Sequence, residues 1–349
     1  MMSIAKAARL ILLLALSAVA ARAQWVAQPS GTQVRLRGVS AVSARVAWAS
    51  GDKGTYARTT DGGRTWRAGQ VPGAEALDFR DVDAFDADTA YLLSIGEGDK
   101  SRIYKTTDGG RRWVLQFQST RPAAFFDSMA FRDKNHGVAI SDPVGGKFLV
   151  ITTTDGGKHW AETPPAGMPP ALEGEGAFAA SGTCVAVAGK SDVWFGTGGP
   201  NGARVFRSKD GGRTWEVSDT PLAYGKAAGV FSVAFLDSMN GVIVGGDYTK
   251  EKESAGNVAT TSDGGKTWET PRGARPGGYR SGVAIIRGTR GPALLAVGPS
   301  GTDYSPDGGE TWTPLSTEGF HAASFSKDGR AGWAVGEGGR IAKFKGLKL

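Results

Sequence analysis

The sequence is poor in the residues that build disulfides and metal sites. Its 349 residues include one cysteine, Cys184, and three histidines scattered along the chain. A single cysteine excludes an intramolecular disulfide, so packing must stabilise the fold. Its apolar setting in CVAVAG predicts a buried structural thiol. With no thiolate set and no histidine cluster in the sequence, we expect no metal site.

Nucleotide-binding loops are also missing. GTGGPN at 196–201 lacks the third glycine of the dinucleotide fingerprint, and CVAVAGKS at 184–191 has cysteine where a P-loop needs its first glycine. We therefore expect no cofactor. The net charge of +7 includes Lys6, Arg9 and Arg22 of the N-terminal segment, which leaves +4 on the rest of the chain. That charge is too small to indicate a nucleic-acid partner.

Long apolar runs are confined to the N-terminus. Lys6 and Arg9 precede LILLLALSAVA, a run of eleven residues that is too short to span a bilayer, and ARA then precedes Gln24. This pattern predicts a secretory signal over residues 1–23, cleaved between Ala23 and Gln24. We expect an exported protein, periplasmic or extracellular, with one domain over 24–349 and no membrane span in that domain.

What the sequence has in excess is glycine, with 53 residues, and one repeated octapeptide. The octapeptide reads TTDGGRTW at 59–66 and returns as TTDGGRRW, TTDGGKHW, SKDGGRTW, TSDGGKTW and SPDGGETW. Its aspartates are spaced by 44–55 residues: Asp61, Asp108, Asp155, Asp210, Asp263 and Asp307. A period of this length, with about four short strands per unit, is typical of a β-propeller.

The first unit predicts the strand order. Strands are expected over 35–42, 45–51, 55–60 and 65–69, with the octapeptide between the third and the fourth. The first strands of the later units are expected over 81–86, 128–133, 176–182, 231–237, 281–286 and 322–328. The seventh unit stops after its third strand, so we expect 24–28 to pair with 340–345 and protect the sheet edges. The prediction is an all-β, seven-bladed propeller of four-stranded antiparallel blades, closed by the N-terminal strand.

The octapeptide has the chemistry of a turn. Its glycines permit positive φ, its aspartate can accept N–H bonds from the same turn, and its tryptophan can pack between blades. Arg112 and His159 replace the threonine before the tryptophan, whereas the aspartate, both glycines and the tryptophan recur in all six copies. A catalytic residue is not needed six times around a ring. We therefore interpret the six aspartates as structural.

The pattern S/T-x-D-x-G-x-T/X-W resembles the Asp-box, or bacterial neuraminidase repeat, of sialidases, sortilin-like receptors, secreted glycanases and photosystem II assembly factors. AFLDSMNGVIVGG (234–246) and ASFSKDGRAGWAVGEGGRI (323–341) make the chain most similar to the assembly-factor family. This resemblance implies a non-enzymatic, lumenal or periplasmic propeller that binds partner polypeptides. A sialidase would carry an F/Y-R-I-P segment near the start of the propeller, and the sequence has none.

The face opposite the octapeptides is the expected binding face, because function usually lies on variable loops over a rigid scaffold. An alignment of the units places charged or titratable side chains around the channel mouth on that face. One position of the aligned first strands is arginine in three units: Arg37, Arg80 and Arg280. The next position along the strand is charged or titratable in three units: Asp81, Asp127 and His321. Glu175 lies close to these positions. These residues form either a small polar pocket or a solvated rim with ion pairs.

The loops between second and third strands reach the same face and are longer than turns require. Their polar side chains are candidates to line a cleft, although ordinary loop polarity is the alternative explanation. The candidates are Asp142, Asn201, Arg204, Asp247 and Tyr248. The proline-rich segment 164–176 predicts a semi-rigid arm across this face.

Two functions fit these observations. The leading hypothesis is a non-enzymatic assembly or stability factor that binds a protein or peptide partner. The alternative is a glycan-active hydrolase or lyase, in which two acids at the channel mouth would flank the scissile bond. The eligible acids are Asp81, Asp127 and Glu175.

Overall fold

Short β-strands form nearly all the regular structure of the chain. The computed structural model describes residues 22–288 and 291–348. Residues 1–21 of the predicted secretory signal lie outside this range. The described residues form seven separate antiparallel sheets, which are the blades of a propeller. The first strands of neighbouring blades lie side by side around a central channel.

The strands follow one another in chain order around the ring. The N-terminal strand is β1 (Arg22–Gln28). Blades one and two consist of β2 (Leu36–Ala41), β3 (Ala47–Gly51), β4 (Thr55–Thr59), β5 (Arg67–Gln70), β6 (Asp78–Ala84), β7 (Ala90–Ile95), β8 (Arg102–Thr106) and β9 (Val114–Gln118). Blades three and four consist of β10 (Phe126–Phe131), β11 (Gly137–Val144), β12 (Lys147–Thr153), β13 (Ala161–Glu162), β14 (Val185–Ala188), β15 (Asp192–Gly196), β16 (Arg204–Ser208) and β17 (Glu216–Asp219).

The second half of the ring continues this order. Blades five and six consist of β18 (Ala228–Phe235), β19 (Gly241–Asp247), β20 (Val258–Thr261), β21 (Gly282–Ile286), β22 (Ala293–Gly298), β23 (Gly301–Ser305) and β24 (Thr313–Ser316). Blade seven contains β25 (Ala322–Phe325), β26 (Gly332–Val335) and β27 (Ile341–Lys348) together with β1. Three short 3₁₀ helices lie in connections of the described chain: Gly98–Lys100, Pro165–Gly167 and Glu337–Gly339.

Blade five departs from the four-stranded pattern. Its fourth strand is reduced to one bridge between Thr260 and Glu269. Pro271 and Pro276 follow that bridge. Proline has no N–H group to donate to a neighbouring strand, which explains why the ladder stops there.

The ring closes as predicted, because β1 pairs antiparallel with β27 as the outer strand of blade seven. Trp25 lies opposite Phe344, and Gln28 lies opposite Ile341. The Oε1 atom of Gln28 accepts hydrogen bonds from the indole N–H of Trp66 at 2.9 Å and of Trp333 at 3.0 Å. These tryptophans belong to blades one and seven. The Gln28 side chain therefore joins the last blade to the first.

Aromatic side chains fill the layers between neighbouring blades. The octapeptide tryptophan Trp66 packs edge-on against Trp333 of blade seven, with ring centroids 6.5 Å apart. Trp113 of the second octapeptide packs in the same way against Trp48 of blade one, at 6.0 Å. In these two layers the octapeptide tryptophan joins its own blade to the preceding one, and such edge-to-face pairs add to the stability gained by burial.

The first strand of blade four corrects the sequence prediction. It is β14 (Val185–Ala188), and the segment 176–182 that was expected to form it is not a strand. The apolar run GAFAASG suggests a strand because its alanines and phenylalanine can be buried. In the structure they are buried or half-buried at the mouth of the channel, in the connection that precedes the blade.

Candidate functional site

In each octapeptide the aspartate carboxylate accepts hydrogen bonds from its own turn. In the first copy, Asp61 Oδ1 accepts the backbone N–H of Thr65 at 3.0 Å, and Oδ2 accepts the Thr65 hydroxyl at 2.7 Å. Thr59 Oγ1 donates to Asp61 and accepts the N–H of Gly63. The hydrogen bonds from Thr65 lower the pKa of Asp61 to about 2.

The other five copies repeat this arrangement, with a bond of 2.9–3.0 Å from aspartate Oδ1 to the N–H of the residue before the tryptophan. Where threonine is replaced, the new side chain also donates: Arg112 Nε contacts Asp108, and His159 Nδ1 lies 2.6 Å from Asp155. In each copy the first glycine N–H donates to the connection between strands one and two of its blade. The octapeptides and those connections therefore share one face.

A cavity of about 520 Å³ lies at the channel mouth on the opposite face. Four of its lining residues are the extra residues of β-bulges in the first strands of their blades: Arg37, Arg80, Asp127 and Phe231. Ser281 and His321 hold the matching positions just before β21 and β25 and donate their N–H groups to Val297 and Val335. Six blades thus each contribute one side chain to a ring of residues around the channel mouth.

The structure corrects the level at which these side chains lie. The sequence alignment places Asp127 and His321 one step beyond Arg37 and Arg80, whereas the structure puts all four in one ring. The alignment matches Ala41 and Ala84 with Ala130 and Ser324, whereas in the paired strands their counterparts are the next residues, Phe131 and Phe325. A strand read without its partner does not show this one-residue difference. Arg280, aligned with the arginines, lies one residue before the ring position of its blade, Ser281.

The connection before blade four closes the channel beneath the cavity. We call residues 177–183 the plug. Arg80 of blade two donates to Ala179 O at 2.9 Å, and Ser181 Oγ donates to Ser281 O of blade six at 2.7 Å. The rings of Phe178 and Phe231 of blade five stack with centroids 3.9 Å apart. Ala177 also donates its N–H to Asp142 of blade three, so the plug touches four blades besides its own. Its residues 177–180 take the place of a ring residue from blade four.

One glycine of the plug is required by close approach. Gly182 has φ of +70°, and a Cβ atom built there would lie 2.4 Å from Asp81 Oδ1. A side chain at this position would collide with the carboxyl group and strain the backbone.

Two of the three candidate catalytic acids lie away from the cavity wall. Asp81 is buried beneath Gly182, and its Oδ2 accepts the Ser128 hydroxyl at 2.9 Å and the Met129 N–H at 2.7 Å. Burial raises the pKa of Asp81 to about 8. Glu175 is buried against Arg204, which also donates to Pro170 O at 3.0 Å. This ion pair holds the proline-rich arm on blade four.

Three further predicted binding residues make bonds of their own outside the cavity lining. Arg280 is buried and forms an ion pair with Asp303, which is fully buried. Asp247 accepts hydrogen bonds from the backbone and hydroxyl of Thr249. Asn201 donates to Glu173 O. Arg204, Arg280, Asp247 and Asn201 are therefore left out of the candidate site.

Three of the charged residues that line the cavity are buried in ways that shift their pKa values. Arg37 Nε is buried and has no hydrogen-bond partner in the described residues, and burial followed by the nearby Arg80 and Arg35 lowers its pKa to about 10. Burial and the charge of Asp142 raise the pKa of Asp127 well above its ordinary value. Burial also raises the pKa of Asp142 to about 6, although its Oδ1 accepts the Ala177 N–H at 2.8 Å.

His321 is neutral at pH 7. Burial, followed by the charge of Arg37, lowers its pKa to about 4, even though Nε2 lies 2.8 Å from Glu337 Oε1. It therefore offers the cavity a polar ring without a charge.

Aromatic rings also line the cavity, and the sequence identified only one of them. Phe231 packs against Tyr279 with centroids 4.8 Å apart and faces Tyr248 at 6.1 Å. Tyr248 is 49% exposed, so part of its ring is free for a ligand. Phe231 precedes Ala234 by three residues, as Asp127 precedes Ala130 and His321 precedes Ser324, so the alignment of the units contained a signal for it.

A second depression of about 470 Å³ lies on the octapeptide face between blades five and six. Its acids include Asp237 and Asp307, which accept hydrogen bonds within their own turns. The described residues contain no cluster of histidine, cysteine, aspartate and glutamate suited to a metal ion. Among the helices of residues 22–288 and 291–348, none is long and apolar enough to cross a bilayer.

Solved structures share this fold. The structure described as "YCF48 bound to D1 peptide" matches with a TM-score of 0.65 at 16% identity, over 95% of this chain and 99% of that chain. YCF48 from Cyanidioschyzon merolae matches with 0.63 at 18% identity, over 92% and 98%. The WD40 repeats of RRP9 match with 0.61 at 14% identity, over 93% and 100%. No protein-family model matches the sequence, and no curated protein does. At these identities the likeness shows the propeller fold.

Proposed function

We propose that this chain is an exported, non-enzymatic propeller of the Asp-box class that binds a short segment of a partner polypeptide in the mouth cavity, as an assembly or stability factor. The observation that carries the proposal is the cavity itself, in which ring residues from six blades surround a depression whose floor is the plug. Its volume of about 520 Å³ falls in the roughly 300–1,000 Å³ range of ligand sites.

The structural neighbours support a peptide as the ligand class. One of the solved structures with this fold is described as bound to a peptide. The cavity combines aromatic rings with a few polar groups, and such mixed linings give both contact area and orientation to a bound chain. Fold alone does not fix function, so the lining of the cavity is the main support for a peptide ligand.

The glycan-active alternative has less support. Asp81 and Glu175 are engaged in buried hydrogen bonds, so Asp127 is the one of the three acids that lines the cavity. Asp127→Asn is the decisive variant for this alternative. Turnover of a panel of glycosides that disappears in Asp127→Asn would favour the hydrolase.

Export is part of the proposal and is supported by the sequence of residues 1–23. N-terminal sequencing of protein recovered from the periplasm or the medium is expected to begin at Gln24. Protein that retains its first 23 residues and stays in the cytoplasm would contradict export.

Two exposed tyrosines provide a matched test of the binding site. Tyr248 is 49% exposed and lines the cavity, whereas Tyr224 is 61% exposed and is not among the cavity residues. The purified protein is probed with an array of short overlapping peptides from exported proteins of the source organism. We expect Tyr248→Ala to weaken the peptide signals by about fivefold or more, because aromatic contacts at binding sites carry about 1–2 kcal/mol.

Tyr224→Ala is expected to bind the array like the wild type. Equal losses in both variants would show that the cavity is not the binding site. An array with no signal above background for the wild type would overturn the proposed peptide function.

A further inference from the structure

One arginine in the cavity has no partner. Arg37 makes no hydrogen bond or ion pair with any described residue, and its Nε atom is buried. It is the extra residue of the bulge in β2, which sets its side chain in the ring at the channel mouth.

The neighbouring charges do not neutralise Arg37. Arg35 is bonded to Asp52 at 3.1 Å, and Arg80 is bonded to Asp78 at 2.6 Å. Burial lowers the pKa of Arg37, as do the charges of Arg80 and Arg35, whereas Asp78, which raises that pKa by a smaller amount, is bonded to Arg80. A partly desolvated cation without an opposite charge is unfavourable for the protein alone, and it becomes favourable when a ligand brings an anion.

We infer that Arg37 anchors a carboxylate of the bound peptide, supplied either by the free C-terminus or by an acidic side chain. This inference rests on the proposed peptide function. A planar guanidinium matches a carboxylate in a two-bond arrangement, and one arginine is sufficient for that geometry.

The rest of the cavity lining determines what accompanies the carboxylate. Phe231, Tyr248 and Tyr279 supply an aromatic surface in the same cavity, with Glu251 also in its lining. The Oδ2 atom of Asp127 is buried and has no partner among the described residues, and burial raises the pKa of Asp127 well above its ordinary value, which favours the neutral form over one that would repel the ligand. The preferred ligand is therefore a peptide with an apolar or aromatic residue next to its carboxylate.

Matched peptide sets test the carboxylate directly. The array carries each peptide with a free or an amidated C-terminus, and with acidic residues or their amides in the interior. We expect the sets that contain a carboxylate to bind at least about tenfold more tightly than the amidated, acid-free set, as is typical of charge-assisted hydrogen bonds. Binding that survives amidation of the C-terminus shows that an acidic side chain supplies the carboxylate. Binding that is lost on amidation shows that the C-terminus supplies it.

Variants of Arg37 separate binding from folding. Arg37→Met is expected to lose the preference for carboxylates while unfolding at the same or a higher denaturant concentration, because an unpaired cation is removed. Arg37→Lys is expected to retain part of the preference. Arg45→Met, an exposed arginine on the octapeptide face of the same blade, is the matched control and should bind like the wild type.

The outcomes of these experiments distinguish the role of Arg37 from the peptide-binding function. Peptides that bind equally with and without carboxylates, or a preference that survives Arg37→Met, would overturn the role of Arg37 and leave the peptide function standing. Binding that requires a phosphorylated peptide would also overturn the carboxylate. Absence of binding in every set would overturn the peptide function together with the inference.

Discussion

Gln28 is the side chain on which ring closure can be tested most sharply. Its Oε1 accepts the indole N–H groups of Trp66 and Trp333, which are 7% and 0% exposed. Gln28→Leu keeps a side chain of similar size and removes the acceptor. Each buried donor left without a partner costs about 1–3 kcal/mol, so the two together should lower the free energy of unfolding by about 2–6 kcal/mol.

The assay is equilibrium unfolding in denaturant, followed by tryptophan fluorescence. Gln28→Glu keeps an oxygen that accepts both indoles, so its loss should be smaller than that of Gln28→Leu. Gln118→Leu is the matched control, because Gln118 is exposed on the outer strand of blade two and its amide makes no hydrogen bond within the described residues. Equal stability of Gln28→Leu and Gln118→Leu would refute the idea that this amide joins the last blade to the first.

Three further variants test the turns, the buried ion pairs and the cavity acids. Asp210→Ala removes the hydrogen-bond acceptor of its turn and should lower the free energy of unfolding by about 0.5–2 kcal/mol, like the loss of a helix cap. Peptide binding per folded molecule should be unchanged. Loss of binding in a folded protein would show that the octapeptide face is the binding surface. Arg280→Ala leaves Asp303 buried without its cation and should lower the free energy of unfolding, measured in denaturant, by about 3–5 kcal/mol. A decrease under about 0.5 kcal/mol would show that Arg280 behaves as an exposed residue whose ion pair does not stabilise the fold. The pKa of Asp142 is raised to about 6, so its ionisation should destabilise the fold as pH rises from about 4 to about 6. Asp142→Asn should therefore unfold with a flatter pH profile than the wild type in that window, and identical profiles would contradict the assignment.

Ring closure also predicts the effect of a deletion. In a chain that begins at Gln24, removing residues 24–29 takes away the four β1 residues from Trp25 to Gln28 that pair with β27, and leaves β27 as an open edge. We expect a lower melting temperature, measured by circular dichroism. An unchanged melting curve would show that the seventh blade does not depend on β1.

The sequence by itself determined the architecture. Six octapeptides at nearly even spacing mark the turn between third and fourth strands, and each copy carries the acceptor and the donors of the hydrogen bonds to its aspartate. The seventh unit, one strand short, predicted the pairing of β1 with β27. These features depend on residues within one turn or on a simple count of strands, so local chemistry was sufficient.

The tertiary structure alone decided which side chains meet at the mouth. The bulge that places Arg37, Asp127 and Phe231 in one ring is an extra residue relative to the neighbouring strand, and a strand read by itself does not reveal it. The partner of Arg280 is 23 residues away in another strand, and the plug bonds to residues up to 100 positions away. Whether a polar side chain is free for a ligand depends on such distant partners, because a buried charge that finds one is no longer available to bind.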